Sequence, residues 1–322
     1  MANKKIKNNK GKGEEVKIDF NYSKIFALVI ILALAYVIFW HATKPDWSVS
    51  DDGILHYSHP GSVNYEKIFV NETGNEKIYK IIFESRGATI YALLRVPENN
   101  NNNNNNNKLP GVVVLPGAGV SKEGETKTPE ALSKMGYATL TLDQRDSGET
   151  EENNNEDFNP GTDFEKFKNN EEPITYKMVF DAISAYHLMK QFEEVDSSRI
   201  TILGISNGGR MAIIAAAIDP GIENVIGIST AGYDISESSE DEEIKFFKSI
   251  DPDNYINLIS PGKVMMIHSE NDPGMSYKSA EKTFSKAGDP KKFILVSCEK
   301  HGYCNEMEQY LEEELKGFFN FQ

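Results

Sequence analysis

Cysteine is scarce in this chain of 322 residues: Cys298 and Cys304 are the two. No Cys/His spacing fits a structural zinc site, so no metal is expected. There is no internal repeat, which excludes solenoids and propellers. Positive charge is lacking over most of the length. Residues 1–24 hold seven lysines against Glu14, Glu15 and Asp19, and the remainder carries 27 basic and 46 acidic side chains. Such a body repels nucleic acid and anionic surfaces, so no nucleic-acid partner is expected.

Long apolar runs are lacking too, with one exception. Residues 1–21 are Lys- and Asn-rich and read as a cytoplasmic tail. Ile25 to Trp40 are then sixteen uncharged apolar residues, about 24 Å as a helix. With Tyr22, Ser23, His41 and Ala42, segment 22–42 nears the roughly 20 residues that cross a bilayer. Lys24 can snorkel, and Tyr22 and Trp40 suit the two interfaces. The run is longer than a usual signal-peptide core, and no Ala-x-Ala site follows it. One uncleaved N-terminal transmembrane helix, a signal anchor, is therefore expected. Lysines crowd its N-terminal side, while Asp46, Asp51 and Asp52 follow Lys44. The positive-inside rule puts the N-terminus in the cytoplasm and residues 43–322 outside the cell, with the bilayer as partner.

Residues 43–64 read as a stalk broken by Pro45, Gly53, Pro60 and Gly61, and a first strand completes segment 43–75. Strands are predicted over Glu66–Val70, Lys77–Glu84 and Thr89–Val96, with a hairpin turn at Arg86-Gly87. Asn71-Glu72-Thr73 is an N-glycosylation sequon, usable on an outside domain. Asn99 to Asn107 is an unbroken asparagine run with nothing to bury, and it reads as a loop. After it the pattern alternates. Gly111–Leu115, Tyr137–Leu142, Arg199–Leu203, Val225–Ser229, Lys263–His268 and Lys292–Ser297 read as strands. Thr128–Met135, Ile174–Phe192, Asn207–Ile218, Ser276–Ala287 and Glu306–Phe319 read as helices. The alternation predicts an α/β domain over 76–322, built on a mostly parallel, doubly wound sheet. Two acidic segments interrupt it as lid-like insertions, 147–172 and 232–261. The second includes a short helix at Glu242–Ile250. Both follow C-terminal strand ends, where ligand sites form in such sheets.

Gly204-Ile205-Ser206-Asn207-Gly208 stands between the strand Arg199–Leu203 and a helix. Gly-x-Ser-x-Gly in a strand–turn–helix context is the pattern of a nucleophile elbow. Alone, the pentapeptide decides nothing. A serine hydroxyl is a poor nucleophile without a base to take its proton and a third group to orient that base. On such a sheet the partners follow in the order Ser, Asp or Glu, His. His41, His56, His59 and His187 precede Ser206, and His268 lies in a predicted buried strand. His301 remains, in the loop after the last strand. Asp272 follows the preceding strand, with Glu270 as the alternative acid. A tetrahedral oxyanion also needs donors. The backbone N–H of Asn207 can supply one. The loop Pro116-Gly117-Ala118-Gly119-Val120 can supply the other, with Ala118 as the expected donor.

These residues carry a resemblance. From about residue 76 onward the chain resembles the α/β-hydrolase superfamily. It is most similar to single-domain esterases related to dienelactone hydrolase and prolyl oligopeptidase-type enzymes. The matching pieces are Pro116–Gly119, Asp143-Gln144-Arg145-Asp146-Ser147-Gly148, Val195–Ile200 leading into the elbow, His268–Asp272 and His301-Gly302. The resemblance implies Ser206 as nucleophile, His301 as base, Asp272 as its acid, and oxyanion donors at Ala118 and Asn207. Two features depart from the pattern: Pro116 replaces a common histidine, and Asp146 and Ser147 replace a Gly-x pair. The expected activity is a serine hydrolase acting on small-molecule esters through an acyl-enzyme, with no metal or organic cofactor. A short-peptide substrate for a serine peptidase, or a silent fold used for binding, are the alternatives. Cys298 and Cys304 bracket His301; their spacing permits a disulfide and equally two free thiols.

Overall fold

The computed structural model describes residues 26, 29–32, 46–58, 60–98, 108–154, 159–235 and 241–321. Two compact units divide the chain, Met1–Asp46 and Trp47–Gln322. In the first, residues 26 and 29–32 are helical, with exposed Phe26, Val29, Ile30, Ile31 and Leu32. The rest of the expected spanning segment 22–42 and the tail lie outside the described residues, as does the asparagine run 99–107. Among the described residues no helix is long and apolar enough to cross a membrane.

The second unit begins with a small antiparallel pair, β1 (Trp47–Val49) and β2 (Leu55–Tyr57). Sequence reading places these residues in a stalk. They pack on the domain instead, because Trp47 and Leu55 are buried in its core. The Trp47 ring meets Tyr176 edge-on at 5.4 Å. The Leu55 N–H donates to the Tyr255 hydroxyl at 2.8 Å.

The main sheet has nine strands. They are β3 (Tyr65–Thr73), β4 (Glu76–Ser85), β5 (Ala88–Pro97), β6 (Leu109–Leu115) and β7 (Ala138–Leu142), then β8 (Val195–Ile205), β9 (Asn224–Ile228), β10 (Lys263–Ser269) and β11 (Lys291–Val296). Their order is β11-β10-β9-β8-β6-β7-β5-β4-β3. Strands β6 to β11 pair in parallel. Strands β3, β4 and β5 form an antiparallel meander that joins through β7. The sheet is therefore mixed, because turns as short as Gly74-Asn75 and Arg86-Gly87 can connect only antiparallel neighbours.

The parallel strands are buried on both faces. In β6, Val113 and Leu115 enter one core, and Val112 and Val114 the other. Period-two alternation sends successive side chains to opposite faces, so both must be apolar. The helices divide accordingly. On one face lie α1 (Lys127–Lys134), through Ala131 and Leu132, and the C-terminal α8 (Glu308–Lys316), through Leu311 and Leu315. On the other lie α4 (Ile174–Met189) and α5 (Asn207–Ile218). α7 (Tyr277–Ser285) buries Ala280 in that same core.

The first acidic insertion contains helices that its sequence does not announce, and the second contains the one expected at Glu242–Ile250. Segment 147–172 holds α2 (Gly148–Asn154) and α3 (Pro160–Lys168). The Asn159 side chain caps α3 by accepting from the N–H groups of Gly161 and Thr162. Segment 232–261 holds α6 (Asp241–Ile250). Phe164 and Phe167, one turn apart on α3, each meet Phe246 of α6 at 5.5 Å between ring centres. The insertions thus pack on each other through an aromatic seam.

Register brings the functional loops together. Leu115 of β6 lies beside Gly204 of β8, and Ile205 beside Ile228 of β9. Ile267 of β10 lies beside Ile228, and Ser269 beside Val296 of β11. The loops after these strands therefore leave the same carboxyl edge of the sheet.

Candidate active site

Ser206 sits between β8 and α5 with φ 53° and ψ −117°. This is a strained conformation for a residue with a side chain. The surrounding backbone enforces it. The Ser206 N–H donates to Ile228 O at 2.9 Å. The Ser206 carbonyl accepts from the Thr230 hydroxyl at 2.8 Å. The flanking glycines are required by contact. A β-carbon on Gly204 would lie 2.2 Å from the Gly208 oxygen, and one on Gly208 would lie 2.2 Å from the Leu115 oxygen. No L side chain fits either place.

Asp272 and His301 meet. His301 Nδ1 lies 2.9 Å from Asp272 Oδ1 and 3.1 Å from Oδ2. Oδ1 also accepts from the N–H groups of Gly274 and Met275, at 2.8 and 2.9 Å. The Asp272 side chain is wholly buried. Burial pushes its pKa up, but hydrogen bonds from Ser229, Gly274, Met275 and His301 outweigh it and hold the carboxyl below its usual range. An ionised Asp272 fixes the His301 proton on Nδ1 and leaves Nε2 as the acceptor. Glu270, the alternative acid, is exposed, with its N–H on Val296 O.

Ser206 and His301 line one cleft of about 400 Å³ with Gly117, Ala118, Lys300 and Tyr303. A β-carbon on Gly117 would lie 3.6 Å from Ser206 Cβ, so the glycine loop runs directly beside the serine. Ala118 is exposed there. Asn207 is the first residue of α5, where helix geometry leaves the amide without an intrahelical acceptor. The structure thus brings together Ser206, His301, Asp272, Ala118 and Asn207.

The turn after β7 holds the glycine loop in place with consecutive side chains. Asp143 accepts from the Lys122 backbone N–H and from Nζ, both at 2.6 Å. Gln144 donates to the Pro116 carbonyl. Asp146 accepts from the Gly119 N–H at 3.2 Å. Between them Arg145 turns the other way, to Asp181 at 2.7 Å. Of the residues that depart from the family pattern, Pro116 and Asp146 are thus tied into this scaffold. Lys122 Nζ also reaches Glu149 at 2.8 Å and Glu123 at 2.9 Å. Burial would lower the Lys122 pKa, but these carboxylates more than offset it and the ammonium is held protonated.

Sequence reasoning missed several supports. Ser229, after β9, accepts from the Gly302 N–H at 3.0 Å. Buried His268 lies behind the acid, with Nε2 2.9 Å from Met275 O and 3.6 Å from Asp272 Oδ2. Burial lowers its pKa, so it stays neutral and donates from Nε2. No motif marks Ser229, and the family-like segment His268–Asp272 assigns His268 no role. Cys298 and Cys304 are joined as a disulfide, so the segment carrying His301 is a closed loop. Ser269 adds a hydroxyl bond to the Lys300 carbonyl at 2.7 Å.

Comparison with known proteins places this arrangement. The acetyl xylan esterase (AXE1) family profile matches residues 59–254, which hold the elbow and the glycine loop but end before Asp272 and His301. Uncharacterized protein YfhR of Escherichia coli O157:H7 is 28% identical over 145 residues, 40% of this chain and 47% of that protein. The chain thus spans about half the length of the curated relatives it matches. Acetyl xylan esterase 1 from Thermoanaerobacterium sp. superposes with a TM-score of 0.64 at 15% identity, over 81% of this chain and 88% of that one. For the acetyl xylan esterase from Paenibacillus sp. R4 the values are 0.63, 17%, 79% and 88%. At such identities the likeness is one of fold: this is an α/β-hydrolase-like sheet.

Proposed function

Because the chain belongs to the acetyl xylan esterase (AXE1) family, we propose that it is a serine esterase using Ser206, His301 and Asp272 on small carboxylic esters. The observation that carries the reading is the His301–Asp272 contact at 2.9 Å beside a cleft shared by His301 and Ser206. In this mechanism Nε2 of His301 takes the Ser206 proton as Oγ adds to the ester carbonyl. The oxyanion is received by the amides of Ala118 and Asn207. The imidazolium then protonates the leaving alkoxide, and water, deprotonated by His301, releases the acid and restores Ser206. Asp272 keeps the imidazole oriented and stays ionised throughout. The family name points to acetyl esters of carbohydrates as the substrate class.

The test compares the wild type with Ser206→Ala on p-nitrophenyl acetate, longer p-nitrophenyl esters, acetylated xylo-oligosaccharides and a fluorophosphonate probe. Loss of turnover and labelling in the variant is expected. Labelling that survives the substitution would remove Ser206 from the role. A wild type active on peptide anilides but not on esters would establish the peptidase reading.

The proposal extends to location. The apolar run Ile25–Trp40 and the lysines before it support a single-pass anchor through residues 22–42, with the catalytic unit outside the cell. Protease added to intact cells is expected to release the esterase; protection would reverse the orientation.

A further inference from the structure

Cys298 and Cys304 are bonded across a sequence separation of 6, with His301 midway between them. The two sulfurs stand in different surroundings. Cys304 is buried in the core that also holds Tyr303 and Met307, while Cys298 is half-buried against it. The ring is tied to the loop of the acid as well, because the Asn271 N–H donates to the Cys298 carbonyl at 3.3 Å.

Ser269, at the end of β10, links the disulfide to the base. Its hydroxyl lies 2.9 Å from Cys298 Sγ and donates to the Lys300 carbonyl at 2.7 Å. That carbonyl belongs to the peptide group that leads into His301. A hydroxyl has one proton to give. A disulfide sulfur is a weak acceptor and leaves that proton on Lys300. Once reduced, Cys298 is a thiol in equilibrium with its thiolate, and a thiolate draws such a proton into a charge-assisted bond. Reduction therefore acts twice on one peptide. It opens the ring around His301, and it sets a rival acceptor beside Ser269.

We propose that the Cys298–Cys304 pair is a thiol–disulfide exchange site that gates the base: the oxidised pair holds His301 against its acid, and reduction by a dithiol releases it, in part through Ser269. The first thiolate of the dithiol attacks Cys298 Sγ, the more exposed sulfur, and the electron pair of the broken S–S bond leaves on Cys304. The second thiolate then attacks the reagent sulfur of the mixed disulfide and expels Cys298. Two electrons and two protons have passed to the protein, which holds two thiols, and the reagent holds the disulfide. The inference rests on the esterase reading for its kinetic consequence only.

The test uses the full-length chain, oxidised or treated with dithiothreitol and then desalted. Mass analysis of an iodoacetamide-treated aliquot confirms that both cysteines are free. The reduced protein is expected to lose roughly ten- to hundredfold in kcat on p-nitrophenyl acetate. KM should change little, and reoxidation with oxidised glutathione should restore the rate. A doubly labelled, reduced protein with undiminished kcat overturns the proposal. Ser269→Ala keeps the ring but lacks the shared hydroxyl, so its loss on reduction should be smaller than that of the wild type. An equal loss overturns the route through Ser269. Hydrogen exchange over residues 297–305 reads the loop without turnover. Faster exchange there on reduction, with the rest of the catalytic unit unchanged, supports the release, and unchanged exchange removes it. Should the oxidised wild type hydrolyse no ester, the esterase reading fails while the exchange measurement still decides the gate.

Discussion

Each group of the proposed triad is constrained by contacts of a different kind. Ser206 is held by backbone geometry, His301 by a closed loop, and Asp272 by charge and hydrogen bonds. The aspartate gives the sharpest prediction at this scale. Its pKa is depressed in the folded protein, so its contribution to stability is present above its unfolded value near ~3.9. That contribution is lost as pH falls through the folded value. Asp272→Asn removes it. The stability gap between wild type and variant in urea melts should therefore be wide at pH 7 and close towards pH 3. A gap independent of pH would contradict an ionised Asp272. The same variant should lose on the order of 10⁴-fold in kcat, since an amide favours the wrong imidazole tautomer.

At the scale of elements, the turn after β7 acts as a buckle on the glycine loop. Its centre is the buried Lys122–Asp143 pair, with side chains 1% and 0% exposed. Lys122→Met leaves that carboxylate uncompensated and should destabilise the fold by about 3–5 kcal/mol. Burial already pushes the Asp143 pKa up, and loss of Lys122 pushes it further. A raised carboxylate pKa means stability is lost as pH rises through it. The deficit of the variant should be larger at pH 8 than at pH 5 in denaturant melts; equal deficits would contradict a buried charge on Asp143. Much at this scale was legible in advance. The parallel strands announce themselves as short apolar runs, and α5 is observed over the predicted residues Asn207–Ile218 because the elbow fixes its start. Asp272 and His301 were legible because chain order leaves few candidates. The helices α2 and α3 were not, because few apolar residues mark a buried face; Phe164 and Phe167 make sense only with Phe246 across from them. Ser229 was illegible for a different reason: its role depends on two loops distant in sequence.

At the scale of the whole molecule, the catalytic unit begins at Trp47, not after the first strand. A chain starting at Trp47 is expected to stay out of the membrane fraction and to melt like the full-length protein. One starting at Tyr65 loses Trp47 and Leu55 from the core, at about 3 kcal/mol or more apiece by large-to-small comparison. Thermal melts of the two fragments decide the matter; equal melting would make the first pair of strands an appendage. The strand order carries a last consequence, one of timing. The proposed base hangs beyond β11, the edge strand formed by the most C-terminal strand segment, while the turn of the proposed nucleophile stands near the middle of the sheet. A ribosome delivers the elbow long before the histidine. Contacts between such distant parts of a chain form late and slowly. On the proposed mechanism the nascent protein is therefore chemically silent until its final segment docks, and any truncation before His301 leaves a serine that nothing activates.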